Sequence, residues 1–157
     1  MEPTLNPEDG EARCDVHQGE RFYEVRTLAA SLPRATEAVV RDRLKFRIGR
    51  IVWLAFSRVE SNMGFAFPKG ERSALVDSAP GVFMLPRPSE LRYNWVESNL
   101  ELIEPSLARE LVLDAWAMCV PKFVSTEYFE RVDRQLSCRR VSATAPVPIR
   151  VEGQSNE

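Results

Sequence analysis

Basic side chains alternate with apolar side chains in the segment 41–48. On a β-strand, successive side chains point to opposite faces, so this alternation predicts one cationic face and one apolar face. Arginine and lysine supply most phosphate contacts in nucleic-acid complexes. The segment therefore predicts a surface that binds DNA or another polyanion. Its basic residues are Arg41, Arg43, Lys45 and Arg47, and its apolar residues are Leu44, Phe46 and Ile48.

Three further residues complete the predicted site, namely Arg50, two positions after the segment, and the pair Arg92 and Tyr93 as rim contacts. An aromatic ring beside an arginine can stack on nucleic-acid bases. The basic residues Lys69, Arg72 and Arg87 extend the patch if the turns bring them together. The alternative interpretation is a solvated sheet face, on which charge maintains solubility and prevents edge pairing. The alternation of faces along the predicted strand favours a position of the Trp95 ring beneath a helix.

Residues suited to catalysis or metal binding are sparse. The one histidine, His17, lies in an acidic leader, and the three cysteines, Cys14, Cys119 and Cys138, form no CxxC pair. No HExxH sequence and no glycine-rich phosphate loop is present. Carboxylates such as Glu97 are explained by solvation or by helix-terminus electrostatics. We therefore expect no enzyme activity, no cofactor and no bound metal.

Charge is unevenly distributed along the 157 residues, whose net charge is −2. Residues 1–21 contain six acidic and two basic residues, whereas residues 34–50 contain six basic and two acidic ones. Salt screens exposed charges beyond about 8 to 10 Å, so a local basic patch can act despite the acidic total. No apolar run reaches the roughly 20 residues that span a bilayer. We expect a cytoplasmic protein without membrane contact, either a monomer or a weak dimer.

The periodicity predicts an α+β fold, with a two-layer, twisted antiparallel sheet of about five strands and helices on one face. The predicted order is α-β-β-β-α-β-β-α, in which one extended segment runs from Val39 to Ile48 before a turn at Gly49. Trp53 and Trp116 are predicted core residues, with Met118 and Cys119 as apolar filler. The predicted segments are a disordered acidic leader at 1–19, the α+β domain at 20–124, an accessory helix at 125–136 and a disordered tail at 137–157.

Three stretches together resemble the MmcQ/YjbR family of small bacterial proteins over roughly residues 22–124. They are KFRIGRIVWLAF (45–56), PGVFMLPRPSELRYNWV (80–96) and LVLDAWAMCVPKFV (111–124). The resemblance implies a two-layer α+β fold similar in topology to secretion chaperones. Family members are described as DNA-binding proteins of a double-wing type, without an established enzymatic activity. The chaperone-like topology also leaves open a protein-interaction adaptor as the alternative function.

Some positions match the family pattern and others depart from it. Phe46, Ile48, Gly49 and Trp53 match the family's hairpin, and Trp95 matches the tryptophan that opens its last strand. Many relatives have lysine and histidine just before that tryptophan, where this chain has Arg92, Tyr93 and Asn94. A positive charge is therefore retained without an imidazole, and a role in proton transfer is not expected at this loop.

Overall fold

The computed structural model describes the backbone of residues 15–143 and the side chains of residues 19–141. Residues 15–122 form one compact unit, and residues 123–143 belong to a second unit. A six-stranded antiparallel sheet in the order β1-β2-β3-β4-β6-β5 confirms the predicted α+β class. The helices are α1 (Asp15–Ser31), α2 (Arg72–Ser78), α3 (Pro105–Cys119) and α4 (Lys122–Ala143), with a 3-10 turn at Pro88–Glu90. The strands are β1 (Thr36–Val40), β2 (Arg43–Ile48), β3 (Ile51–Phe56), β4 (Asn62–Ala66), β5 (Phe83–Met84) and β6 (Trp95–Asn99).

Both terminal helices extend beyond their predicted limits. α1 begins at Asp15, inside the predicted leader 1–19, and it contains His17 and Gly19. A glycine inside a helix costs about 1 kcal/mol, which a helix anchored by buried residues can absorb. α4 includes the predicted accessory helix 125–136 and continues to Ala143, because no proline or glycine interrupts this stretch. The remaining parts of the predicted leader and tail, 1–14 and 144–157, lie outside the described residues.

One face of the sheet packs against α1 and α3 to form the core. Residues in register on four strands, one from each of β2, β3, β4 and β6, are fully buried on this face. The ring of Phe22 from α1 lies 4.8 Å from the ring of Phe56, and the Trp116 indole of α3 donates a hydrogen bond to the Pro33 carbonyl. Trp53 and Trp116 are completely buried, which confirms both as core residues. The four residues in register are Phe46, Leu54, Phe65 and Val96.

A bulge in β3 explains why two adjacent residues of that strand are both buried. Phe46 pairs with Leu54 and the next residue, Arg47, pairs with Val52, so Trp53 is the additional residue on β3. The Trp53 ring lies 6.1 Å from the Phe46 ring. Because the additional residue is on β3, the alternation along β2 is unbroken.

The predicted single extended segment from Val39 to Ile48 is wrong, since the chain reverses direction at Arg41 and Asp42. These two residues join β1 to β2 and have φ angles of 52° and 59°. Positive φ at both central positions is the geometry of a two-residue hairpin turn. Sequence patterning missed the turn because its usual asparagine and glycine are absent. Arg41 therefore belongs to a turn, and the sheet gains a sixth strand.

Two substitutions at positive φ should change stability in opposite directions. Asp42→Gly is expected to raise the free energy of unfolding by roughly 0.5 kcal/mol, because glycine relieves left-handed backbone strain but loses more entropy on folding. Gly49→Ala places an L-residue at φ 59° and should lower that energy by about 1 kcal/mol. Urea denaturation of both variants would measure the difference. Equal shifts of the same sign would contradict the assigned turns.

Candidate functional site

The sheet face opposite α1 and α3, here called the outer face, carries the basic residues of β2. Phe46 is buried on the helix side, so its neighbours Lys45 and Arg47, together with Arg43, point to the outer face. Lys45 is in register with Ala55, Gly64 and Glu97 across β3, β4 and β6. Basic and acidic side chains therefore stand three strands apart, with small residues between them.

Small residues on the central strands leave a hollow of about 670 Å³ in the outer face. Ala55, Gly64 and Ala66 form its floor. This volume lies within the range of roughly 300 to 1,000 Å³ found for ligand sites. One wall consists of Arg43, Lys45 and Arg50, and the opposite wall consists of Glu90, Tyr93, Trp95 and Glu97.

The Trp95 indole lies directly against the backbone of Gly64. A Cβ atom built at Gly64 would lie 2.5 Å from Nε1 of Trp95, which is closer than real Cβ contacts. Only glycine therefore allows the indole to lie flat across β4. The prediction that Trp95 packs beneath a helix is wrong, because the half-buried ring lines the hollow on the outer face.

The structure brings three of the seven predicted site residues, Arg43, Lys45 and Arg50, together at one wall of the hollow. Within the described residues, no hydrogen bond or ion pair engages their side chains. Arg47 shares the outer face, and its Nε is buried without a hydrogen-bond partner among these residues. Arg41, in the turn between β1 and β2, does not line the hollow.

The other two predicted residues lie in the loop that precedes β6. Tyr93 lines the hollow, and the Arg92 guanidinium carbon lies 4.8 Å from the centre of its ring. Arg72 fixes this loop by donating hydrogen bonds of 2.9 Å to the Leu91 carbonyl and 3.1 Å to the Tyr93 carbonyl. Arg72 therefore holds the rim of the hollow and does not extend the basic wall.

Glu97 is a residue of the hollow that sequence reasoning interpreted only as a solvated charge. Its half-buried carboxylate lines the hollow, and no hydrogen bond or ion pair to it occurs in the described part of the chain. Burial raises the pKa of Glu97 most, and nearby Glu90 raises it further, whereas Arg87 and Arg43 lower it. Glu97 and Trp95 are two residues apart on β6 and therefore point to the same face of the sheet. This spacing was the sequence signal that could have placed Glu97 beside Trp95.

Glu97→Gln is expected to stabilise the fold at neutral pH. Folding raises the Glu97 pKa above its ordinary value of 4.5. The protonated carboxyl therefore contributes its full stabilisation of the fold below about pH 4.5. It is lost as the pH rises through the folded-state pKa, whereas glutamine does not titrate. Urea denaturation between about pH 4 and pH 7 should show an advantage of the variant that grows with pH. A pH-independent difference would contradict the desolvated environment.

The hollow is not confined to the outer face but extends to the end of α3, where Met118 and Cys119 line it. The prediction of Met118 as core filler is wrong, because its side chain is 45% exposed. Burial raises the pKa of the Cys119 thiol, which therefore stays protonated and weakly nucleophilic at neutral pH.

Among the described residues, no group of three or more potential metal ligands occurs. Within the same residues, no helix has the length and hydropathy needed to cross a bilayer.

No family model matches this sequence, and no curated protein shows significant similarity to it. The crystal structure of the Deinococcus radiodurans protein DR2400, which contains a DUF419 domain, has a similar fold. The two chains are 15% identical, with a TM-score of 0.55 over 66% of this chain and 83% of that chain. At this identity the similarity shows the fold alone, and the DUF419 fold is related to the MmcQ/YjbR one.

Proposed function

We propose that the outer face is a nucleic-acid-binding surface that holds an unpaired strand across the hollow. The observation that carries this proposal is the division of the hollow into a basic wall on β2 and an aromatic and acidic wall on β6. Proteins that bind single strands combine a positively charged groove for the backbone with aromatic rings that stack on bases. The DNA-binding description of the MmcQ/YjbR family agrees with this assignment.

The basic residues of β2 are spaced for a phosphate backbone. Arg43, Lys45 and Arg47 follow one another at every second position, so their Cα atoms are about 7 Å apart. This separation is similar to that of successive phosphates in an extended strand. With the backbone along β2, the bases extend over the small floor residues toward Trp95.

The acidic wall disfavours a duplex. A double helix on the outer face would bring its second phosphate backbone toward Glu90 and Glu97, whose charges repel phosphate. A single strand has one backbone, which can remain on the basic side. The proposal therefore specifies unpaired DNA or RNA as the ligand. It also assigns the protein to the cytoplasm, where it acts by binding and without catalysis.

Fluorescence anisotropy of a labelled oligothymidine strand, measured at several salt concentrations, tests this proposal. Three neutralised phosphates predict that log K falls with log salt with a slope of about −2. A duplex of equal length should bind more weakly. Absence of saturable binding at low salt, or stronger binding of the duplex, would overturn the proposal.

The edge of the sheet favours a second candidate function, a protein-interaction adaptor. Among the described strands β1 pairs with β2 alone, and Val39 at this edge is 71% exposed. An unpaired edge can accept a further strand from a partner or from a second copy of the chain. Analytical ultracentrifugation should then show association that Val39→Lys weakens. A concentration-independent monomer that captures no peptide strand would argue against this candidate.

A further inference from the structure

The chemistry of the hollow indicates which base it accepts. We infer that the hollow receives one guanine of a bound single strand, stacked on Trp95, with its Watson–Crick edge on the Glu97 carboxylate. This inference rests on the proposed nucleic-acid binding. It adds a base-reading position that general phosphate attraction does not supply.

Glu97 provides the chemical selection. The Glu97 carboxylate is half-buried and has no hydrogen-bond partner among the described residues, so it has lost part of its hydration and gains from ligand N–H donors. Guanine offers adjacent donors at N1 and at the 2-amino group, which match the two carboxylate oxygens. Adenine and cytosine each place a ring-nitrogen acceptor beside their amino group, which repels a carboxylate. Thymine offers one donor between two carbonyl oxygens.

The span of the hollow fits a nucleotide. Lys45 and Glu97 are in register three strands apart, so their Cα atoms are separated by about 14 Å. Side chains on a strand stand roughly perpendicular to the sheet, so the two charged ends are separated by a similar distance. This width accommodates a base on the Glu97 side and its phosphate on the Lys45 side. Between them, Gly64 has no side chain and the Trp95 indole lies flat over it, forming a surface for base stacking.

The test compares oligothymidine strands that carry a single central guanine, adenine, cytosine or hypoxanthine. A single guanine avoids four-stranded structures. We expect the guanine strand to bind about tenfold more tightly than the adenine strand, as for a bidentate pair. Hypoxanthine keeps N1–H but lacks the 2-amino group, so its strand should bind with intermediate affinity.

Glu97→Gln separates base reading from general attraction. This variant should lose the guanine preference and should bind the all-thymine strand at least as tightly as the wild type, because it keeps the basic wall and removes a negative charge from the opposite wall. Equal affinities of the wild-type protein for all four strands would overturn the inference, as would an undiminished guanine preference in the variant. Absence of binding to every strand would instead overturn the proposed function.

Free guanosine monophosphate distinguishes a strand from a mononucleotide as the ligand. It presents one phosphate to the basic wall and should bind at least tenfold more weakly than the guanine strand. Equal affinity would overturn the strand as the ligand. Ribose and deoxyribose versions of the guanine strand, compared in the same assay, distinguish RNA from DNA.

Discussion

Replacing Arg43 and Lys45 together by glutamate is expected to lower the affinity for a single strand by about 100-fold at low salt. Each substitution removes a cation from the basic wall and adds an anion that repels the phosphate backbone. The two side chains are half-buried and take part in no hydrogen bond or ion pair among the described residues, so their charge is available to a ligand. Anisotropy titration of the wild type and the variant at one salt concentration would measure the ratio.

A matched control separates the site from the net charge. Arg109 on α3 and Arg131 on α4 are both exposed, and Arg109→Glu with Arg131→Glu changes the net charge by the same amount. This control should alter the affinity less than about threefold, because neither arginine is among the residues that line the hollow. If both double variants weaken binding equally, the attraction is nonspecific and the hollow is not the site.

Phe46→Ala is expected to lower the free energy of unfolding by about 3 to 5 kcal/mol. The Phe46 ring is completely buried, and its centre lies 6.1 Å from that of Trp53 and 6.5 Å from that of Phe56. Truncation to alanine leaves a cavity that the β-sheet cannot readily close. Urea denaturation monitored by circular dichroism would measure the loss.

The neighbouring residue supplies the control for this prediction. Lys45→Ala should change the free energy of unfolding by less than about 0.5 kcal/mol, because it removes an outer-face side chain that forms no hydrogen bond or ion pair within the described residues. The same variant should weaken strand binding, whereas folded Phe46→Ala should retain it. Similar stability losses for both variants would contradict the alternation of faces along β2.

Period-two patterning correctly predicted the faces of β2, because the side-chain alternation of a strand depends on local geometry alone. Phe46 faces the helices, and Lys45 faces outward. The turn at Arg41 and Asp42 was not predicted, because neither residue is the glycine or asparagine that usually adopts positive φ angles. Local sequence signals therefore identified the strand but misplaced its beginning.

The hollow itself depends on contacts between strands that are distant in sequence. Gly64 on β4 allows the indole of Trp95 on β6 to lie against β4. The two residues meet only because β4 and β6 pair in a particular register. Neither residue alone indicates the contact. The same register places Glu97 opposite the basic wall, which explains why sequence analysis treated it as a solvated charge.

The three tryptophans provide the most direct test of the outer-face site. Each has one indole N–H signal in a ¹H–¹⁵N NMR spectrum, which single substitutions to phenylalanine can assign. Addition of an oligothymidine strand should shift the Trp95 signal, because stacking occurs at the hollow, and should leave the buried Trp53 and Trp116 signals unchanged. A Trp95 signal that does not move at saturating strand would contradict binding at the hollow.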